Sequence, residues 1–425
     1  MATYRLASGW NQCLPRRQPH PPLGENLNVD VVIIGAGFTG IACANRWQAL
    51  DPNAKIVLID ASEIGEGNPG RNSGFLLEIA LAEDADPSNL STMAEANRLT
   101  RAAMGTLSDA VSMFGDPSDL HRAGTYRAAA SDVGLSSLAK YETFLKAAGL
   151  TYRRLSASEL KQELGTDFYQ AGLYSPDCYL AQPAAVIRAL ASTLPKTVQV
   201  YENTQALSVT PFAGAWRVQT PNGRLTCQKV VLANNAFATQ LGFARSRMAA
   251  VYTYAGLTGP LSQRKLAELG SNPDWGLLPT HRFGSTLRRT HDGRLLIRSL
   301  HDYEKEREVS SIERALKLRL QRRFPQLNPI EFESIWGGAV GFTLNGGLVW
   351  GELEPSLYAS CGCNGGGTVK GTLLGQLLAE HALGYEVPNV LALFGDASWM
   401  PPEPFRTVGF HATSLWQGWQ GRHER

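Results

Sequence analysis

At 425 residues the chain is long for one domain and sized for two or three, at roughly 100–200 residues each. A hydrophobic content of 44% with 18% charged residues excludes a disordered chain and implies extensive burial in large cores or against partners. The 40 Lys and Arg against 38 Asp and Glu leave a net charge of +2, which gives no reason to expect nucleic acid or an anionic membrane as a partner.

In chain order, residues 1–29 read as a polar, proline-rich arm (Pro15, Pro19, Pro21, Pro22). The arm holds no apolar run long enough for a secretory h-region, and no later stretch is long and apolar enough to span a membrane. The expectation is a cytoplasmic protein with reduced thiols. Asp30–Ile34 is β-branched, as a buried parallel strand requires. Gly35-Ala36-Gly37-Phe38-Thr39-Gly40 comes next, then Ile41–Leu50 with helical composition, then a second strand at Lys55–Asp60. Together they make a βαβ unit of about 30 residues. The Ala- and Leu-rich segments Leu90–Gly115 and Ser131–Gly149 predict two helices outside that nucleotide unit. Val198–Ala233 reads as short strands turning at Pro221-Asn222-Gly223, and Thr286–Ser299 as a hairpin turning at His291-Asp292-Gly293. Thr368–Leu383 predicts a helix that succeeds three glycines and stops at Gly384.

Glycines spaced like Gly35, Gly37 and Gly40 are weak evidence alone. Here they lie between a buried strand and a helix, and Asp60 stands 20 residues after Gly40 at the end of the second strand. That is the full context of a dinucleotide site. Gly35 allows the tight turn, Gly37 lets the backbone approach a pyrophosphate, and Gly40 with Ala44 lets helix and strand pack closely. The helix N-terminus then turns unpaired N–H groups toward the phosphates, and Asp60 accepts from ribose hydroxyls.

The residues after Asp60 separate FAD from NAD. The chain runs from Ala61 to Gly70-Arg71-Asn72-Ser73-Gly74-Phe75, which resembles the glycine-Arg-Asn stretch of the D-amino-acid-oxidase/glycine-oxidase (DAO) superfamily of FAD enzymes. Trp336-Gly337-Gly338 with Thr343-Leu344-Asn345, and Gly365-Gly366-Gly367-Thr368 opening a helix, are similar to the γ-glutamylputrescine oxidase-like branch of amine oxidoreductases. The resemblance implies an α/β fold (α+β overall): a Rossmann-type FAD-binding domain of glutathione-reductase-like kind with an interleaved antiparallel-sheet substrate domain. It implies an arm at 1–27, a discontinuous FAD domain at 28–85, 165–240 and 335–385, and a substrate domain at 86–164 and 241–334. The extension 386–425 is expected to pack back on the FAD domain. Phe38, Thr39, Ala61, the Gly70–Gly74 stretch, Ala206 of Thr204-Gln205-Ala206, and Ala233-Asn234 are the further cofactor contacts it implies. FAD is expected to be noncovalent, since the cysteine that tethers flavin in the sarcosine-oxidase branch is missing. From the residues themselves, the bare backbone of Gly365–Gly367 suits a flat ring, with the positive end of the next helix aimed at it.

Departures from the family bear on the substrate. Val340 falls where the amino-acid oxidases carry an Arg for the substrate carboxylate, and the second such Arg would fall near Gly365 or Gly366. Amines whose carboxylate is distant or absent therefore fit better than ordinary α-amino acids. The substrate-site candidates are Tyr252, Tyr254, His281, Arg288, Arg298, His301 and Trp336, with Arg288 and Arg298 suited to bidentate binding of an anionic group. Cys361-Gly362-Cys363 reads as a buried thiol pair, and no metal site is expected. The expected reaction passes a hydride from a neutral amine's α-carbon to flavin N5, giving an imine that hydrolyses, with oxygen or another acceptor reoxidising the flavin. The alternatives are a pyridine-nucleotide-linked flavin monooxygenase or reductase, and a flavoprotein whose FAD is not catalytic.

Overall fold

The computed structural model describes residues 4–79 and 87–425; the domain boundary expected at 85/86 lies outside the described residues. Leu27–Ile34 is the centre of a mixed sheet, pairing in parallel with Ile56–Ile59 on one side and Gly223–Leu232 on the other. Gln199–Tyr201 extends one side in parallel, and Leu357–Cys361 joins the end of Gly223–Leu232 in parallel. The hairpin Ala215–Thr220/Gly223–Leu232 turns at Pro221-Asn222, as its residues require. Val31, Val32, Ile33, Val57 and Leu58 have no exposed surface, because helices cover one face of the sheet and the other packs with Val209, Trp216, Val218 and Val349 of neighbouring strands. Two of those helices, Phe38–Leu50 and Val369–Ala382, cross so closely that a Cβ on Gly375 would lie 2.1 Å from the Thr39 carbonyl oxygen.

Helix Leu90–Phe114 corrects one expectation. Its face of Ala103, Met104, Leu107, Ala110 and Val111 enters the same core as Ile41, Trp47 and Leu377, so it belongs with the nucleotide sheet. Amphipathic periodicity shows that one face is buried, but not against what. Helix Asp132–Ala147 does pack on the second sheet, outside the nucleotide unit as expected.

That second sheet has eight strands, in the order Phe332–Phe342, Ala249–Thr258, Leu295–Tyr303, Thr286–Arg289, Trp275–Pro279, Thr125–Ala129, Ala171–Ser175, Arg153–Ser156. All neighbours are antiparallel except Trp275–Pro279 with Thr125–Ala129. Of these strands, Ala171–Ser175 lies inside a range expected for the FAD domain, and Phe332–Phe342 lies in one from residue 335 onward. Strand composition records burial, not which sheet a strand joins.

Both chain ends pack into the fold. In the arm, Ser8 caps a short helix, Gly9–Gln12, Trp10 is buried, and Arg17 pairs with the fully buried carboxylate of Glu202. The extension 386–425 begins on the nucleotide side, where Val390 joins the core and Asp396 bridges Leu348. It ends on the other sheet. The Glu424 carboxylate accepts from Ala130 N at 3.0 Å and Ser131 Oγ at 2.6 Å, and the Glu424 carbonyl accepts from buried Arg323 at 2.7 Å.

Candidate active site

A cavity of about 1610 Å³ lies between the nucleotide sheet, its floor, and the inner face of the eight-stranded sheet, its roof. A small-ligand pocket typically measures about 300–1,000 Å³, so there is room for a dinucleotide and a substrate together. Helix Phe405–Gln420 walls one side through Arg406, Phe410, Thr413 and Gln417, residues that no sequence motif marks.

The floor is backbone. Gly35 has φ +110°, a left-handed turn, and a Cβ on Gly40 would lie 1.8 Å from the Gly35 carbonyl oxygen, so neither position admits a side chain. Asp60 does more than face a ribose. Its carboxylate accepts from Ala36 N at 2.8 Å, Ser62 N at 2.9 Å and Ser62 Oγ at 3.0 Å, tying the glycine turn to the end of the second strand. Burial raises its pKa despite these bonds.

The glycine-Arg-Asn stretch forms a shelf beside that turn, braced by the roof. Arg71 donates to the Glu66 carbonyl at 2.6 Å and the Gly337 carbonyl at 2.9 Å, and its guanidinium lies 3.9 Å from the centre of the Tyr4 ring. Trp336 Nε1 donates to the Arg71 carbonyl at 3.0 Å. Asn72 accepts from Gly74 N at 2.8 Å and donates to the Pro69 carbonyl at 2.7 Å. Arg71, Asn72 and Trp336 therefore hold the shelf in shape, while Ser73 lines the cavity.

The third part of the floor is the loop Gly365–Thr368. Gly365 has φ +91°, and a Cβ there would meet nothing within 4 Å because it faces the open cleft. Asn364, which lies outside the motifs legible in the sequence, organises this loop. It donates to the Gly346 carbonyl at 2.9 Å and the Gly362 carbonyl at 2.8 Å, and accepts from Thr343 N at 2.9 Å. An Asn before a glycine run, tolerant of its φ of +48°, was the available signal. Gly366, Gly367, Thr368, Ala206 and Ala233 also line the cavity, as do Phe38, Thr39 and Ala61. Asn234 Oδ1 is buried there without a partner among the described residues. Two helix N-termini, a run of backbone N–H groups and an orphan acceptor fit a dinucleotide that carries a flat ring.

On the roof, two of the seven substrate-site candidates face the cavity. Arg298 donates from Nε to Thr253 Oγ1 at 3.1 Å, and His301 lies beyond it on the same strand. Burial, then the charges of Arg298, Arg319, Arg282 and Arg425, push the His301 pKa down to about 3, so the ring is neutral at neutral pH. Tyr252 and Tyr254 alternate with Val251 and Thr253, which line the cavity, and so point to the other face; Tyr254 OH accepts from Arg307 N at 2.7 Å. His281 sits outside, its Nδ1 accepting from Phe283 N at 3.2 Å. Arg288 is buried past the end of the cavity, donating to the Ala181 carbonyl with its guanidinium 5.4 Å from the Trp10 ring centre. Trp336 serves the shelf. Arg127, Thr253, Thr286, Phe283 and Tyr303 line the roof unforeseen. Cys361 is buried but Cys363 is only partly so, and its sulfur accepts from Asn235 Nδ2 at 3.1 Å, so the expected buried pair is half right.

Residues 30–381 match the family described as FAD dependent oxidoreductase (DAO). The chain belongs to this family. The protein is accordingly an FAD-dependent oxidoreductase. Over 378 residues it is 26% identical to the probable oxidoreductase OrdL of Haemophilus influenzae, covering 86% of this chain and 85% of that one. It is 25% identical over 377 residues to the gamma-glutamylputrescine oxidoreductase of Escherichia coli, covering 85% of each. The crystal structure of glycine oxidase from Geobacillus kaustophilus has the same fold, with a TM-score of 0.74 at 19% identity over 87% of this chain and 98% of that one. No helix among the described residues is long and apolar enough to cross a membrane.

Proposed function

We propose that this flavoenzyme oxidises the C–N bond of a small amine or amino-acid-like molecule, held between the glycine floor and the cationic roof. The observation that carries the reading is the shared cavity: the dinucleotide motif and Arg298 line the same space. FAD, when bound, supplies the hydride acceptor. The chain's own residues orient the substrate and exclude water, and the similarity to a gamma-glutamylputrescine oxidoreductase supports an amine as substrate. Among the described residues lining the cavity, Asp60 is the one carboxylate, and it belongs to the nucleotide end. Arg71, Arg298 and Arg406 also line the cavity. Like charge disfavours an ammonium there, so the amine is held in its neutral, oxidisable form.

Val340 lines the cavity with an apolar side chain where the resemblance places an Arg. An α-carboxylate against it loses charge-assisted bonds worth roughly 1.5–3 kcal/mol, about a tenfold to hundredfold handicap for simple D-amino acids. The test is anaerobic titration with glycine, D-alanine, putrescine derivatives and longer ω-amino acids, read by flavin absorbance. Fast reduction by D-alanine alone would refute the substrate part, and no reduction by any amine would refute the reaction. FAD is held noncovalently in this reading, so acid precipitation should leave the protein pellet colourless.

A further inference from the structure

Arg127 is a buried cation of this cavity with no acceptor among the described residues. It lies on Thr125–Ala129 in register with Leu278 of the next strand. One step beyond the Leu277–Leu287 pair, Leu278 faces Thr286, and Thr286 is in register with Arg298. Arg127, Leu278, Thr286 and Arg298 therefore form one row across the sheet, and residues in register share a face; all four line the cavity. Three strand spacings put the two Arg Cα atoms about 14 Å apart on a flat sheet, less where the sheet curves.

Arg127 is 5% exposed, and its Nε is buried with no hydrogen-bond partner. Its guanidinium lies 4.5 Å from the centre of the Tyr141 ring, which steadies its plane without neutralising its charge. Buried Arg71 is tied to carbonyl oxygens, and half-buried Arg298 to Thr253. No carboxylate among the described residues pairs with Arg127. A buried guanidinium aimed into a cavity without an acceptor is a preformed anion site.

We propose that Arg127 binds a carboxylate of the substrate at the end of the cavity away from Arg71, so that the enzyme selects amines with a carboxylate several bonds from the reacting nitrogen. The proposal rests on the amine reading above and adds what selects among amines. It also accounts for Val340: the carboxylate anchor has moved along the roof instead of disappearing. Arg71 lies under the Phe332–Phe342 strand, where a Cβ on Gly338 would lie 3.4 Å from its Cβ, and Arg127 stands five strands away across the roof. A substrate meeting both ends must be extended.

The probes are 6-aminohexanoate, hexylamine and glutarate, with Arg127→Met and Arg127→Lys. In Arg127→Met the KM for 6-aminohexanoate should rise at least tenfold, about 1.4 kcal/mol, with hexylamine within twofold of wild type. The Kd of glutarate, a non-reducing ligand read by the shift it causes in the flavin spectrum, should weaken by the same factor. Arg127→Lys keeps the charge but loses the planar fork, and should fall between. Equal losses for hexylamine and 6-aminohexanoate, or no loss for either, would overturn the proposal. If neither amine reduces the flavin, the amine reading fails, and glutarate still decides Arg127: binding unchanged by Arg127→Met, or absent from wild type, rejects it. Should Arg127→Met fail to fold, the lysine variant decides alone, since wild-type glutarate affinity in it contradicts a bidentate anion site.

Discussion

Along the floor of the cleft the cavity is lined largely by backbone: the Gly35 turn, the shelf through Ser73 and the loop from Gly365. Along the roof they are side chains: Arg127, Thr286, Arg298 and His301 projecting from a sheet. The floor must accept one large, invariant molecule, and absent side chains make that fit. The roof must choose among small molecules, and a choice needs charges and shapes that can vary without disturbing the strands beneath them. Substitutions on the floor should therefore cost cofactor and fold together, while those on the roof should cost selectivity with the flavin retained.

The largest effect expected is on the floor. Gly40→Val places carbon within 1.8 Å of the Gly35 carbonyl oxygen, so the helix must shift away from the turn. The variant should purify without FAD, and a normal flavin-to-protein absorbance ratio would break the comparison. Next comes Arg127→Met on the roof, which should raise the KM of a carboxylated amine at least about tenfold while the flavin content stays at wild type. A colourless Arg127→Met protein would show that roof and floor are not separable.

His301 sharpens the comparison through pH. Its folded pKa of about 3 lies below its ordinary 6.5, so between those values the unfolded chain binds the proton and the folded one does not. Stability is therefore full above pH 6.5 and is lost as pH falls toward 3. Melting temperatures measured from pH 7 to pH 4 should fall less steeply for His301→Gln than for wild type, and parallel curves would count against a neutral, cation-surrounded ring. The smallest effect is expected from Tyr254→Phe, which changes a face turned away from the cavity and removes one acceptor from Arg307 N. Its kinetic constants should stay within about twofold of wild type, since one hydrogen bond is worth about 1 kcal/mol to stability and none to substrate.

The same division explains what could be read before the fold was known. Gly35, Gly40, Asp60 and Gly365 were legible because the backbone itself imposes those residue types, and a local motif contains all that matters. The roof was not. Tyr252 and Tyr254 are as polar and aromatic as a binding site requires, but which face of a strand meets the cavity depends on pairing with distant segments. Arg127 was invisible for the same reason: Thr125–Ala129 is buried at every position, and nothing in its neighbours marks it as facing Arg298 across two intervening strands. Trp336 was found for the right motif and the wrong task, since its indole N–H braces the shelf at the Arg71 carbonyl and does not line the cavity.

The FAD floor joins turns at Gly35–Gly40 and Gly365–Thr368, roughly 330 residues apart along the chain, a long loop whose closure is slow and entropically costly. A ligand bound across both turns stabilises the folded state by about 2.7 kcal/mol at a hundred times its Kd. Flavin thus acts as a removable staple between distant parts of the chain: the melting temperature should climb with added FAD, and release of the cofactor should loosen the cleft in advance of the rest of the molecule.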